Sequence, residues 1–101
     1  MVIAHDGLTL DPYARTIVLD GVHLELTRTE FDLLATLLSD RRRVWPRDAL
    51  LRQVWGTDWS TDGHLVEVHI GNLRRKLGDN PRTPRFVHTV RGIGYRVGSA
   101  R

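Results

Sequence analysis

Between residues 64 and 78 the chain reads HLVEVHIGNLRRKLG, and four apolar side chains in it, Val66, Ile70, Leu73 and Leu77, recur at steps of four, three and four. At about 100° per residue they fall within about 60° of one another, so the stretch reads as a helix with one apolar seam against a core. That seam decides what the other face holds. Opposite it come His64, Val68, Gly71, Asn72 and Arg75, with Leu65, His69 and Lys76 on one flank and Glu67 and Arg74 on the other. A solvated face would carry acids and bases in supporting pairs four residues apart. This one offers one acid, three consecutive cations, two imidazoles, an amide and the methyl groups of Val68, a set suited to a polyanion with readable edges.

The 101 residues suffice for one compact domain and are too few for two. No apolar run approaches a membrane span and no secretory signal order is present, so the expectation is a cytoplasmic chain with no membrane partner. The absence of cysteine excludes a disulfide framework and a thiolate metal site. The net charge of +3 is unevenly spread. Residues 1–61 hold seven Arg against nine acids, giving −2, and residues 62–101 hold seven Arg and one Lys against three acids, giving +5. Fourteen of the fifteen cations are Arg, whose planar fork binds phosphate and guanine edges bidentately. A GC-rich genome also raises Arg content, which halves the weight of that clue.

From Gly7 to Glu25 the pattern is short and turn-rich, with Asp11-Pro12 and Asp20-Gly21 as punctuation. Asp20-Gly21, set between Ile17-Val18-Leu19 and Val22-His23-Leu24, is a two-residue hairpin signal, and a small antiparallel sheet is expected over residues 1–26. Thr27-Arg28-Thr29-Glu30 has the form of a capping box, so a helix should start at about Arg28, with Phe31, Leu34, Ala35 and Leu38 on its apolar face. Pro46 suits the first position of a second, short helix carrying Leu50, Leu51, Val54 and Trp55 and stopped by Gly56. A polar loop, GTDWSTDG, leads to the helix described first, and Asn80-Pro81 and Thr83-Pro84 close that helix off. FVHTV, RGIG and YRV then alternate and turn as a hairpin over residues 85–97, with Gly92 and Gly94 near its tip and needing to be no more than turn residues. The expected fold class is α+β: an amino-terminal antiparallel sheet, three helices within residues 27–78, and a carboxy-terminal hairpin. The last helix and the hairpin are the basic elements and are neighbours, the arrangement of a winged helix-turn-helix.

The bland alternatives differ in strength. His64, Glu67 and His69 invite a metal or acid–base site, but the two imidazoles are about 140° apart in projection and cannot chelate one ion together. Neither a catalytic residue nor a metal or other cofactor is expected. Arg74, Arg75 and Lys76 taken alone also fit a solvated helix end favoured by the helix dipole. Arg41-Arg42-Arg43 fits a solvated loop better than a nucleic-acid contact. Trp45 and Trp55 read as core, Trp59 as either packing or a partner anchor, Tyr95 as packing beneath the hairpin, His88 as a strand residue, and His5 and His23 carry no signal.

Four stretches, LTRTEFDLL (26–34), the LL and VWG at the end of the second helix (50–56), VEVHIGNLRRKLG (66–78) and VHTVRGIGYRV (87–97), occur in the order seen in one family. Through them the chain resembles, over nearly all its length, the OmpR/PhoB-type winged-helix effector domain of bacterial two-component response regulators. The resemblance implies that residues 63–77 form a recognition helix for the DNA major groove and that the hairpin is the wing. It places Val68 at a thymine methyl, His69 at the backbone or a base, and Asn72 and Arg74 among base- or phosphate-contacting positions. Thr89 and Arg91 match wing contacts to phosphate and the minor groove, and Arg74, on a helix flank, reads as a phosphate contact. His64, Arg75 and Lys76 complete the candidate set. It also implies an amino-terminal receiver domain absent from these 101 residues, tandem dimers on promoter DNA, and contact of the 56–63 loop with RNA polymerase in some members, making Asp58 and Trp59 candidates there. The chain departs from many relatives at His64 and Leu65, where Arg and Thr are common, and at Gly71, where Arg or Ser is frequent. These departures motivate an alternative: a protein-interaction module that contacts RNA polymerase through that loop and binds DNA weakly.

Overall fold

The computed structural model describes residues 1–56 and 63–98. Four strands, β1 (Ile3–His5), β2 (Leu8–Asp11), β3 (Thr16–Leu19) and β4 (Val22–Leu24), form an antiparallel meander in chain order. Leu8, Leu10 and Ile17 alternate inward to the core. Asp20 and Gly21 take φ of 50° and 84° and pair Leu19 with Val22, the type I′ geometry their residue types favour. Asp6-Gly7, at 49° and 81°, makes a second such turn between His5 and Leu8. The sheet expected over residues 1–26 thus includes β1, whose own bounds the sequence does not mark because three residues are too few to display a period.

The first helix, α1 (Arg28–Ser39), begins with the expected capping box: the Glu30 N–H donates to Thr27 Oγ1 at 3.2 Å and the Thr27 N–H to Glu30 Oε1 at 2.9 Å. Its buried face is wider than the sequence stripe, taking in Leu33 and Leu37 as well as Phe31, Leu34 and Leu38. That width reflects packing on more than one side. The second helix, α2, starts at Arg47–Leu50 and widens into a π-helical turn over Leu51–Trp55, where the Gly56 N–H is shared at 3.1 Å between the Leu51 and Arg52 carbonyls. Pro46 stands one residue before the helix, not at its first position. Its backbone, at φ −61° and ψ 154°, is extended and belongs to a two-residue strand, β5 (Trp45–Pro46). Gly63–Leu77 form α3, and its seam is fully closed: Val66, Ile70, Leu73 and Leu77 are buried in the same core as α1. Gly78, at φ 70°, ends α3 before the prolines are reached, letting the Asp79 N–H return to the Arg74 carbonyl at 2.8 Å.

The hairpin strands, β6 (Val87–Val90) and β7 (Gly94–Val97), are joined by β5 in a three-stranded sheet of order β5-β7-β6. The architecture is thus an amino-terminal sheet, three helices and a carboxy-terminal hairpin over one core. Gly94 is more than a turn residue. A Cβ there would lie 2.0 Å from the Trp45 carbonyl oxygen and 2.9 Å from Pro46 Cα, so β5 can approach β7 only because position 94 has no side chain. The root of β6 is held by Asp79, whose carboxylate accepts the N–H groups of Arg85, Phe86 and Val87. Arg85 itself reaches both type I′ turns, bonding Asp20 at 2.9 Å and Asp6 at 3.2 Å, and so ties the first sheet to the base of the wing. Among the described residues no helix is long and apolar enough to cross a membrane.

His5 carries a signal only in three dimensions. Its ring is 3% exposed and neither nitrogen makes a hydrogen bond of ordinary geometry. Burial, and then the Arg41 charge, push its pKa below the ordinary 6.5, against weaker pulls from the Gly98 backbone and Asp6. Because the folded state resists the proton that the unfolded chain accepts, stability is full above the ordinary histidine range and is lost as the pH falls through it. Urea midpoints should therefore drop between about pH 7 and about pH 5.5, and His5→Leu should flatten that segment; an unchanged slope in the variant would show that the proton goes elsewhere. In the same assay Gly94→Ala should destabilise by about 1–3 kcal/mol. Gly71→Ala, whose methyl would meet nothing within 4 Å, should stabilise by about 1 kcal/mol.

Candidate nucleic-acid interface

With the seam of α3 inward, the opposite face is presented to solvent. Val68, an apolar side chain 57% exposed, stands at its middle. One turn on, the Asn72 carboxamide oxygen accepts from Arg75 Nη2, which orients the amide across the helix and leaves its NH₂ group and a second lone pair for a ligand. His69 is fixed on two sides. Its Nδ1 lies 2.8 Å from the Leu65 carbonyl, an acceptor only, so Nδ1 carries the proton and Nε2 is the atom on offer. Its ring also meets Trp55 nearly edge-on, with centroids 5.3 Å apart. Trp55 is therefore half-buried support for the His69 ring as well as core, a contact that sequence spacing could not reveal.

Glu67, the acid of this surface, is held by Arg47 at 3.1 Å and faces His64 Nδ1 at 3.2 Å. Arg47, at the start of α2, was not a sequence candidate; nothing in its local pattern separates it from any other helix-start cation. Arg47, Glu67, Thr89, Ile93 and Tyr95 line a cleft of about 180 Å³, so the exposed flank of α3 and the wing border one concavity. At the wing tip Arg91 and Ile93 are exposed, the Ile93 N–H closing the turn on the Val90 carbonyl at 2.9 Å with Gly92 at φ 77°. Among the described residues Arg91 has no ion-pair partner.

The basic run at the end of α3 divides by partner. Arg75 turns to Asn72 and remains exposed. Arg74 donates to the Val87 carbonyl and, at 2.7 Å, to Thr89 Oγ1, joining two sequence candidates to each other. Lys76 reaches back to Glu30 Oε1 at 2.7 Å. Burial would raise the Glu30 carboxyl, but the Lys76 hydrogen bond and charge, with the Thr27 N–H, hold it below the usual carboxylate range. Of the 41–43 run, Arg41 bonds the Ala4 carbonyl at 2.9 Å and Arg43 stacks 3.7 Å from the centre of the Trp45 ring. The loop candidates Asp58 and Trp59 lie outside the described residues.

An exposed apolar and amide-bearing helix face, beside a basic hairpin on the same core, defines a winged-helix domain. Residues 21–97 match the family described as "Transcriptional regulatory protein, C terminal", and the chain belongs to that family. It is 43% identical over 97 residues to the alkaline phosphatase synthesis transcriptional regulatory protein SphR of Synechococcus elongatus, covering 96% of this chain and 38% of that protein. It is 45% identical over 95 residues to response regulator MprA of Mycobacterium tuberculosis, covering 94% of this chain and 41% of MprA. The chain thus spans about two fifths of the length of these curated relatives. Among solved structures, the Klebsiella pneumoniae RstA DNA-binding domain in complex with the RstA box matches with a TM-score of 0.89 at 35% identity, over 96% of each chain. The DNA-binding domain of CpxR from E. coli matches with a TM-score of 0.86 at 38% identity, over 100% of this chain and 99% of that one.

Because Glu30 is 3% exposed and Lys76 is its cationic partner, Lys76→Met should lower stability in urea by about 1–2 kcal/mol, less than for a fully buried pair since Lys76 is 39% exposed. A midpoint equal to that of the unmodified chain would show that the carboxylate is stabilised by the Thr27 cap alone.

Proposed function

We propose that this chain is a sequence-specific double-stranded DNA-binding domain that regulates transcription, with α3 in the major groove and the wing at the minor groove or backbone. The single observation that carries the reading is the exposed face of α3, with Val68 at its middle and Asn72 one turn on, beside a wing whose tip exposes Arg91. A helix fills a major groove, and a hairpin fixed beside it falls on the adjoining phosphates. Val68 meets a thymine methyl, Asn72 reads a base edge with its free amide, and His69 Nε2, His64 and Arg75 complete the α3 contacts. Arg91, with Thr89 on the strand before it, supplies those of the wing. The RstA DNA-binding domain, solved in complex with the RstA box, is similar to this chain along nearly its whole length, which supports reading this chain as DNA-binding. Lys76 contributes to the field of the surface while paired to Glu30.

The chain acts without catalysis, as the effector part of a cytoplasmic response regulator whose remaining length carries a receiver domain that takes up phosphate. Two copies occupy tandem half-sites about one DNA turn apart. The loop holding Asp58 and Trp59 is a candidate surface for RNA polymerase.

Selection of bound duplexes from a random-sequence pool identifies the preferred site, and titration against salt then tests the mechanism. Affinity should fall steeply, by a slope of about −0.9 per phosphate neutralised, with preference for the selected site retained. Arg91→Ala should weaken binding to every duplex, whereas Asn72→Ala should alter which base pair is preferred, by about 1–3 kcal/mol at one position. A shallow slope with no preferred sequence would favour a protein-interaction module instead.

A further inference from the structure

The three cations at the end of α3 are chemically alike in sequence and unlike in structure. Arg74 directs its planar fork at β6: Nη2 donates to Thr89 Oγ1 at 2.7 Å and to the Val87 carbonyl at 3.0 Å, and Nε donates to the same carbonyl at 3.3 Å. Two of its three nitrogens are thus engaged by the wing, and the guanidinium carbon lies 6.0 Å from the centre of the Tyr95 ring. The strand it grips is an edge strand, paired on one side only, by β7. Thr89 is two residues before Arg91, about 7 Å along an extended chain. Beyond Thr89 the turn is closed on itself by the Ile93 to Val90 bond.

We infer that Arg74 is a positioning residue: its bidentate grip on Val87 and Thr89 sets the wing against α3 and so places the Arg91 guanidinium on DNA. The inference rests on the DNA-binding reading above. For α3 and the wing to engage neighbouring grooves together, their separation must be set before binding; otherwise ordering the hairpin costs affinity at that moment. Turning the Nε–Nη2 edge of Arg74 toward a phosphate would break its three hydrogen bonds, whereas Arg91 has no ion-pair partner among the described residues.

Lysine separates the two roles. It keeps the charge a phosphate needs, but its single ammonium cannot reproduce a planar fork spanning a carbonyl and a hydroxyl. The 101-residue chain and its Arg74→Lys, Arg91→Ala and doubly substituted forms are titrated with the duplex selected from the random pool, across a salt series. Arg74→Lys should reduce the salt slope by about the same 0.9 as Arg91→Ala. The double variant should lose no more than either single one, and the base preference at the Asn72 position should not change. Amides of residues 90–93 should exchange faster in Arg74→Lys, while those of α3 stay protected. Thr89→Val removes the acceptor at an exposed strand position that accepts a β-branched side chain, and should show the same non-additivity with Arg91→Ala even if Arg74 variants fold poorly. Unaltered binding by Arg74→Lys, or additive losses in the double variant, would overturn the inference and leave DNA binding intact. If the unmodified chain lacks a steep salt slope, the DNA reading itself fails and the positioning role falls with it.

Discussion

The rotation of α3 about its own axis is the constraint on which the rest of the molecule depends. Val66, Ile70, Leu73 and Leu77 enter the core between 0% and 4% exposed, and burial of such side chains is worth about 1.5–3 kcal/mol each. That sum exceeds the roughly 1 kcal/mol lost by placing Gly71 within the helix. A turn of α3 by one residue, about 100°, would drive charged and amide-bearing residues into the core and expose the seam. Val68, His69 and Asn72 therefore face outward because the alternative is far less stable, and the outward face is a consequence of the packed one.

The wing hangs from this framework by attachments distant in sequence. Gly94 lets β5 lie against β7, which anchors the hairpin to the segment leading into α2. Asp79 gathers three N–H groups at the root of β6, and Arg85 ties that root to the two tight turns of the first sheet. Hydrogen bonds to Asp20 and Asp6 hold the Arg85 guanidinium even more firmly protonated than usual. The amino-terminal sheet, far from the proposed DNA surface in chain order, is thereby mechanically continuous with the hairpin. Arg74 adds the direct link from α3 itself.

The parts of this fold that were legible in advance are those where the determinant is local. The capping box at Thr27 and Glu30, the Asp20-Gly21 turn and the period of α3 each act within a few residues, so sequence alone displays them. Two-residue β5 and three-residue β1 have no period to show and exist because partners elsewhere complete their ladders. Arg47 resembles any cation near a helix start until Glu67 appears beside it, and the two are 20 positions apart. Lys76 and Glu30 are 46 positions apart, and their pairing makes a single ion pair of what sequence presents as a basic run and a capping residue. The imidazole of His5 looks unremarkable in sequence and is enclosed only by the assembled core.

The chain's own order of residues determined which face of α3 would be apolar, which residues would oppose it, where the first helix and the second hairpin would begin, and that the basic elements would be the last two. Each follows from periodicity, backbone conformational preference or charge, properties that need no distant partner. Tertiary structure alone decided how those side chains are used: which cation of three points at the wing, which at a buried carboxylate, and which stays on the surface. The reason is physical. A guanidinium or ammonium has the same chemistry wherever it stands, and only the acceptors that packing brings within about 3 Å select its role.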